Sequence, residues 1–266
     1  MSEEFQHIKV SLLDYTGKGQ KSPALYAARL LAYIKNTRLE MNAGAFERLM
    51  QCRPEDKAWP DERTLMEEIA YIANTIRSSW EFVDYTFQIE GVSRAFTHQF
   101  VRTRHGSYAQ QSQRSVDVSG FETYKPENVR SNPTANHTWN GTMEVIDQSY
   151  KLMIEEGVSA QDARGVLPTN IHTNICAKFN LRTMADLIAK RQNLRAQGEY
   201  GYVAGQFERL MREVHPWTDN FIDPDRSATP ALDEILKASL GTDSPVDRPL
   251  VNDALKELDK LKGVWG

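Results

Sequence analysis

Hydrophobic positions along the chain follow two rhythms. Residues 7–13 (HIKVSLL) alternate roughly polar with apolar and predict a strand. Over residues 23–52, Leu25, Ala28, Leu30, Leu31 and Ile34, then Phe46, Leu49 and Met50, recur at helical spacing, with a break near Asn42–Gly44. Lys57–Glu62 reads as a loop around Pro60, and Arg63–Arg77 as a helix burying Leu65, Ile69, Ile72 and Ile76. Glu81–Glu90 (EFVDYTFQIE) has the clearest period of two; Gly91 is expected to end it, and Val92–Arg102 to form a helix. His105–Gly120 is polar and rich in Gln and Ser, and 121–140 reads as loop. Helices are predicted over Gly141–Gly157 and Ala160–Gly165, and a strand over Thr169–Phe179. A long helix follows over Arg182–Val214, interrupted near Gly198–Gly201 and stopped by Pro216. Strands alternating with long helices predict an α/β or α+β domain.

Composition narrows the class. The 266 residues suffice for a large core, and 40% hydrophobic with 26% charged residues is globular. A net charge of −4 argues against a general nucleic-acid coat, which needs summed positive charge. The start MSEEFQHIKVSLLDY lacks a basic, apolar leader, and no apolar run reaches the ~18 residues of a span, so no membrane partner is expected. Cys52 and Cys176 show neither pairing nor metal spacing, which suits a reducing cytoplasm. No His-x₃-His pair exists, so no metal site is expected.

Chemistry concentrates in arginines: Arg94, Arg102, Arg104, Arg114, Arg130, Arg164, Arg182, Arg191 and Arg195, in a stretch where lysine is scarce. A guanidinium fork binds phosphates and carbonyl pairs bidentately and keeps its proton, whereas a solvated surface would serve lysine equally well. In RTRHGSYAQQSQR, Arg102 and Arg104 precede Gly106, while Ser107, Gln110, Ser112 and Arg114 follow it. A glycine with short hydroxyl and amide neighbours allows close approach to an anion. The segment reads as an anion-binding loop, or else as a polar loop at a subunit interface. Ser112 has no His–acid partner in view and reads as a phosphate-binding hydroxyl rather than a nucleophile.

The run TFQIEGVSRAFTHQFVRTRHGSYAQQSQR resembles the signature of flavin-dependent thymidylate synthases, in which Arg-His-Arg is followed by seven intervening residues and then Ser. Here Arg102-Thr103-Arg104 precedes Ser112 at that spacing. ARGVLPTNIHTNICAKFNLRTMADLIAKR is similar to the family's later block, and Ala196-Gln197 with Glu199 and His215-Pro216-Trp217 are also family-like. The resemblance spans about 78–221. It implies an α+β fold with a mixed sheet flanked by long helices, a catalytic domain over 1–221 and a C-terminal extension over 222–266. It implies transfer of a one-carbon unit from methylenetetrahydrofolate to C5 of a pyrimidine nucleotide, dUMP to dTMP, with FAD as cofactor and NADPH as reductant. A homotetramer with shared active sites is implied too.

Position by position, the resemblance puts Gln99, Arg102, Gln110, Ser112, Gln113, Arg114, Arg164 and Arg191 around the nucleotide. It puts Ser78, Arg102, Thr103, Arg104, Gln110, Asn180, Arg182 and Asp186 around FAD. Arg191 is the candidate catalytic group: a fork beside O2 and N3 stabilises the anion that develops as C5 becomes nucleophilic. Neither cysteine has the context of a nucleophile, and both read as small hydrophobes. The chain departs from the family pattern at Thr103, Ile76 and Phe82, where histidines are usual. It departs also at Ser115 in place of tyrosine and Asp186 in place of asparagine. These departures keep two alternatives open: a variant acting on UMP or dCMP or making a 5-hydroxymethyl product, and a non-catalytic nucleotide-binding homologue.

Overall fold

A computed structural model gives the fold and describes residues 3–35, 42–51, 62–191 and 198–222. The loop around Pro60, Cys52, Arg195, Ala196-Gln197 and the tail beyond Ile222 lie outside the described residues. Contacts divide the chain into two compact units, Met1–Asp223 and Pro224–Gly266.

Four strands form one sheet in the order β1 (Lys9–Tyr15), β2 (Asp84–Ser93), β4 (His172–Asn180), β3 (Gly106–Gln110). Every neighbouring pair is antiparallel, so the α+β class holds but the sheet is not mixed. The reason is topological. Helix α4 (Arg94–Phe100) carries the chain from β2 over to a parallel β3, and β4 then inserts between the two. Alternation sets the two faces. Tyr85, Phe87 and Ile89 on β2, with Ile175, Ala177 and Phe179 on β4, are buried. Thr86, Gln88, Cys176 and Lys178 take the opposite face, in register as Thr86–Lys178 and Gln88–Cys176. Cys176 is therefore half-buried on the polar side, not a core hydrophobe.

Helices α1 (Pro23–Lys35), α2 (Ala43–Gln51) and α3 (Glu62–Thr75) come from the predicted helical stretches. So do α8 (Leu181–Arg191) and α9 (Gly198–Val214). The core joins the apolar sheet face to Leu31, Ile69, Met184, Ile188, Phe207 and Met211 from these helices. Each such side chain contributes about 1.5–3 kcal/mol by leaving water. His215 closes the far end: Tyr85 Oη donates to its Nδ1 at 2.7 Å, and its Nε2 donates to Thr16 O at 3.0 Å. Among the described residues no helix is long and apolar enough to cross a membrane.

Three local expectations change. Gly91 does not end β2; it forms a bulge at φ +74°, and the strand runs on to Ser93. A Cβ there would lie 2.5 Å from His7 O, so both the conformation and the space require glycine. Residues 106–110, read as loop, are the edge strand β3. An edge strand bonds on one side only and tolerates the exposed Ser107 and Ala109. The 121–140 loop holds α5 (Glu127–Arg130) and the start of α6 (Pro133–Glu155). Asn132 caps α6 by accepting from Ala135 N, and Pro133 sits in its first turn, so the Asn-Pro pair begins a helix rather than breaking one. Helix α7 (Ala160–Ala163) and a 3₁₀ turn, Arg164–Val166, then lead into β4.

Candidate functional site

The turn between α4 and β3 is held from three sides. Ser93 caps α4, its Oγ accepting from Phe96 N at 3.0 Å. The buried Glu199 carboxylate in turn accepts from Ser93 N and Ser93 Oγ, at 2.5 and 2.6 Å. Burial pushes that carboxyl up, and the two Ser93 hydrogen bonds hold it back. Beneath the turn, Tyr108 Oη donates to Thr103 O at 2.6 Å, and burial raises its hydroxyl to about 12. Gly106 lies against Phe179: a Cβ at 106 would sit 2.4 Å from Phe179 Cε1. The glycine thus serves contact with β4 rather than approach of an anion. On the third side, Thr183 of α8 donates to His105 O at 3.4 Å.

This turn, α8 and the start of α9 enclose a pocket of about 310 Å³. Gln99, Arg102, Thr103, Arg104 and His105 line one wall. Thr183, Asp186, Leu187, Lys190 and Arg191 line the other, with Tyr200 beside them. Six predicted residues meet here: Gln99, Arg102, Thr103, Arg104, Asp186 and Arg191. Among the described residues, Arg102, Arg104, Lys190 and Arg191 line the pocket with one carboxylate, Asp186, so these residues carry excess positive charge. Arg191 stacks on Tyr200, its guanidinium carbon 4.2 Å from the ring centroid.

Arg114 and Arg164 form a second group. Arg114 Nε donates to Gln161 Oε1 at 2.8 Å and Arg164 Nε to Gln161 O at 3.0 Å. Arg94, at the start of α4, joins them. Its Nη2 donates to Gln111 O at 3.0 Å, and burial, followed by the Arg164 charge, lowers its affinity for its proton. Arg94 Nε is buried without a hydrogen-bond partner among the described residues. All these acceptors are neutral, so three full positive charges stand together. Ser112 lies alongside, accepting from Arg114 N at 3.1 Å, and Gln113 is half-buried between them.

The other predicted residues have partners within the chain. Gln110 faces inward, donating to Thr97 Oγ1 at 2.9 Å. Asn180 caps α8 by accepting from Thr183 N at 2.9 Å. Arg182 makes a surface ion pair with Glu81 at 2.7 Å, and Ser78 is exposed on the 3₁₀ helix Arg77–Phe82. Arg130, also in the arginine cluster, pairs with Glu4 and Glu127. His98, near the end of α4, is exposed.

Five pocket residues were absent from the predicted site, His105, Thr183, Leu187, Lys190 and Tyr200, and Arg94 was named only within the arginine cluster. Thr183, Leu187 and Lys190 follow from helical spacing through Asp186 and Arg191. Tyr200 follows from nothing local, since it comes from the next helix.

An α+β domain that gathers guanidiniums round a pocket of this size presents a positively charged site suited to an anion. Residues 11–217 match the family of thymidylate synthase complementing proteins, and the chain belongs to that family. It is 30% identical to a flavin-dependent thymidylate synthase of Geobacter sulfurreducens over 211 residues, 79% of this chain and 84% of the relative. It is 38% identical to one of Nitratidesulfovibrio vulgaris over 176 residues, 59% and 71% of the two chains. A third, from Thermococcus onnurineus, is 34% identical over 201 residues, 74% and 76%.

Proposed function

We propose that the chain is a flavin-dependent thymidylate synthase. It transfers a one-carbon unit from methylenetetrahydrofolate to C5 of dUMP, giving dTMP, with FAD as cofactor and NADPH as reductant. Within a chain of this family, the carrying observation is the pocket that brings Arg102, Arg104 and Arg191 together, with Asp186 the one carboxylate among the described residues. The donor set fits FAD: guanidinium forks at Arg102 and Arg104 suit its phosphates, while the Gln99 amide suits the ring carbonyls of the nucleotide. When bound and reduced by NADPH, the flavin would supply the two electrons that take the transferred carbon to the methyl level.

The chain's own residues supply binding and electrostatics. We assign Arg191 to the ring carbonyls of the nucleotide, where its fixed positive charge stabilises the anion that makes C5 nucleophilic. Cys176 does not line the pocket, in keeping with activation by charge rather than by covalent attack. Arg114, Arg164 and Ser112 suit the nucleotide phosphate, and Arg94 adds a further charge. On family position Gln110 and Gln113 join them around the nucleotide, and Ser78, Gln110, Asn180, Arg182 and Asp186 belong to the FAD side.

At about 310 Å³ the pocket is at the low end of the ~300–1,000 Å³ usual for ligand sites, room for a ring system but not for a dinucleotide and a nucleotide. The group at Arg114 and Arg164 does not line it. Both facts support a homotetramer in which different copies complete each site. The catalytic work falls to residues 1–221, with 222–266 as an extension, and the free thiol of Cys176 suits a cytoplasmic setting.

Flavin spectroscopy tests the proposal. The purified chain is expected to show, or acquire from added FAD, visible flavin absorbance that dUMP perturbs at lower concentration than UMP or dCMP. A chain that never takes up flavin overturns it; a stronger response to UMP or dCMP transfers the assignment to that nucleotide.

A further inference from the structure

We propose that Tyr200 is the positioning residue for Arg191, its ring acting as a fixed platform that holds the guanidinium plane in the pocket. This rests on the reading of Arg191 as the group that activates the pyrimidine ring. Arg191 is the last residue of α8, and its long side chain has many rotamers. A fork that must meet two carbonyls needs its plane fixed beforehand, because donors aimed in advance reorganise least during reaction. The Tyr200 ring face, 4.2 Å from the guanidinium carbon, supplies that constraint.

The platform itself is immobilised. Tyr200 is fully buried. Phe96 meets its ring edge-on at 5.1 Å and 73°, and Phe100 does so at 5.9 Å and 79°, both from α4. Glu199, the preceding residue, is clamped to Ser93 at the N-cap of that same helix. The following residue, Gly201, brings the first turn of α9 against Arg191: a Cβ there would lie 3.5 Å from Arg191 O. Through one aromatic ring, α4 therefore fixes both walls of the pocket. Gln99 and the Arg102–Arg104 turn lie on one wall, and Arg191 on the other. The Tyr200 hydroxyl is buried without a hydrogen-bond partner among the described residues, so the aromatic surface is what does the holding.

Kinetics of the full chain loaded with FAD test this, with Tyr200→Phe, Tyr200→Leu, Arg191→Ala and the Leu–Ala double variant, each checked by thermal melting. Tyr200→Leu should lower kcat about tenfold, the scale of a lost cation–π contact, with little change in dUMP affinity. Tyr200→Phe should rescue turnover to within about threefold of the parent, because the ring face is unchanged. In the Arg191→Ala background, Tyr200→Leu should add nothing. A folded Leu variant with undiminished kcat overturns the proposal. So does a Phe variant as impaired as the Leu variant, or additive losses in the double variant. Should Leu fail to fold, Tyr200→Met, which keeps bulk without a ring, takes its place under the same criteria. Full turnover in Arg191→Ala alone would instead defeat the assignment of Arg191, a distinguishable failure.

Discussion

Replacing Gly106 with alanine should unseat the arginine turn. The new Cβ would lie 2.4 Å from Phe179 Cε1 and 2.7 Å from Cδ1, well inside van der Waals contact. Phe179 has nowhere to go: it is 1% exposed and packs edge-on against Phe100 at 5.5 Å and Tyr108 at 5.6 Å. Relief must come from moving β3 off β4, at the typical overpacking cost of about 1–3 kcal/mol. For a domain of this size that is roughly 2–4 °C of melting temperature per kcal/mol. The turn is tied to β3 by the Tyr108–Thr103 hydrogen bond, so the shift should also displace Arg104 and weaken FAD binding. Urea unfolding with a flavin titration measures both effects. Phe179→Leu, which removes the struck edge of the ring, should be partly compensatory, and the double variant should recover about 1–2 kcal/mol of the summed losses. Parental stability in Gly106→Ala, or strict additivity in the double variant, would refute the steric argument.

Other expectations follow from the same geometry. Arg191→Lys keeps a charge but loses the planar fork, so turnover should collapse in steady-state assays while dUMP binding largely survives; an active Lys variant would remove Arg191 from ring activation. Arg164→Gln should raise the nucleotide Kd about 10–100-fold, the scale of one charged hydrogen bond to phosphate, with FAD affinity little changed by titration. His215 is buried and neutral, and burial lowers its pKa to about 4 against 6.5 for the free side chain. Its contribution is therefore complete above about pH 6.5, falls by about 2 kcal/mol at pH 5 and is lost below about pH 4. Urea midpoints across that range should fall less steeply for His215→Gln, and an unchanged slope would contradict the linkage.

Legibility in the sequence tracked burial. β2 and β4 alternate cleanly because one sheet face is core and the other is polar, so Tyr85, Phe87 and Ile89 announce themselves. β3 does not, since an edge strand lying partly outside the core needs no apolar alternation; its Gly106 is small for Phe179, a reason found only across the sheet. The signature arginines were legible as a group because residue type and spacing survive in one dimension. Their division was not: Arg102, Arg104 and Arg191 line the pocket, Arg114 and Arg164 gather about Gln161, and Arg182 pairs with Glu81. Gln110 shows the limit of reading spacing alone, because strand alternation turns it inward to Thr97. Tyr200 was hidden for a different reason: its role depends on the meeting of α4, α8 and α9, which no local pattern encodes.

The central claim is that this arginine pocket serves the methylation of dUMP. Mass analysis of the nucleotide after incubating the protein with FAD, NADPH, methylenetetrahydrofolate and dUMP tests it most directly. The expected product is dTMP, one CH₂ heavier than dUMP. Unchanged dUMP with flavin bound, or a hydroxymethyl nucleotide in place of dTMP, would contradict it.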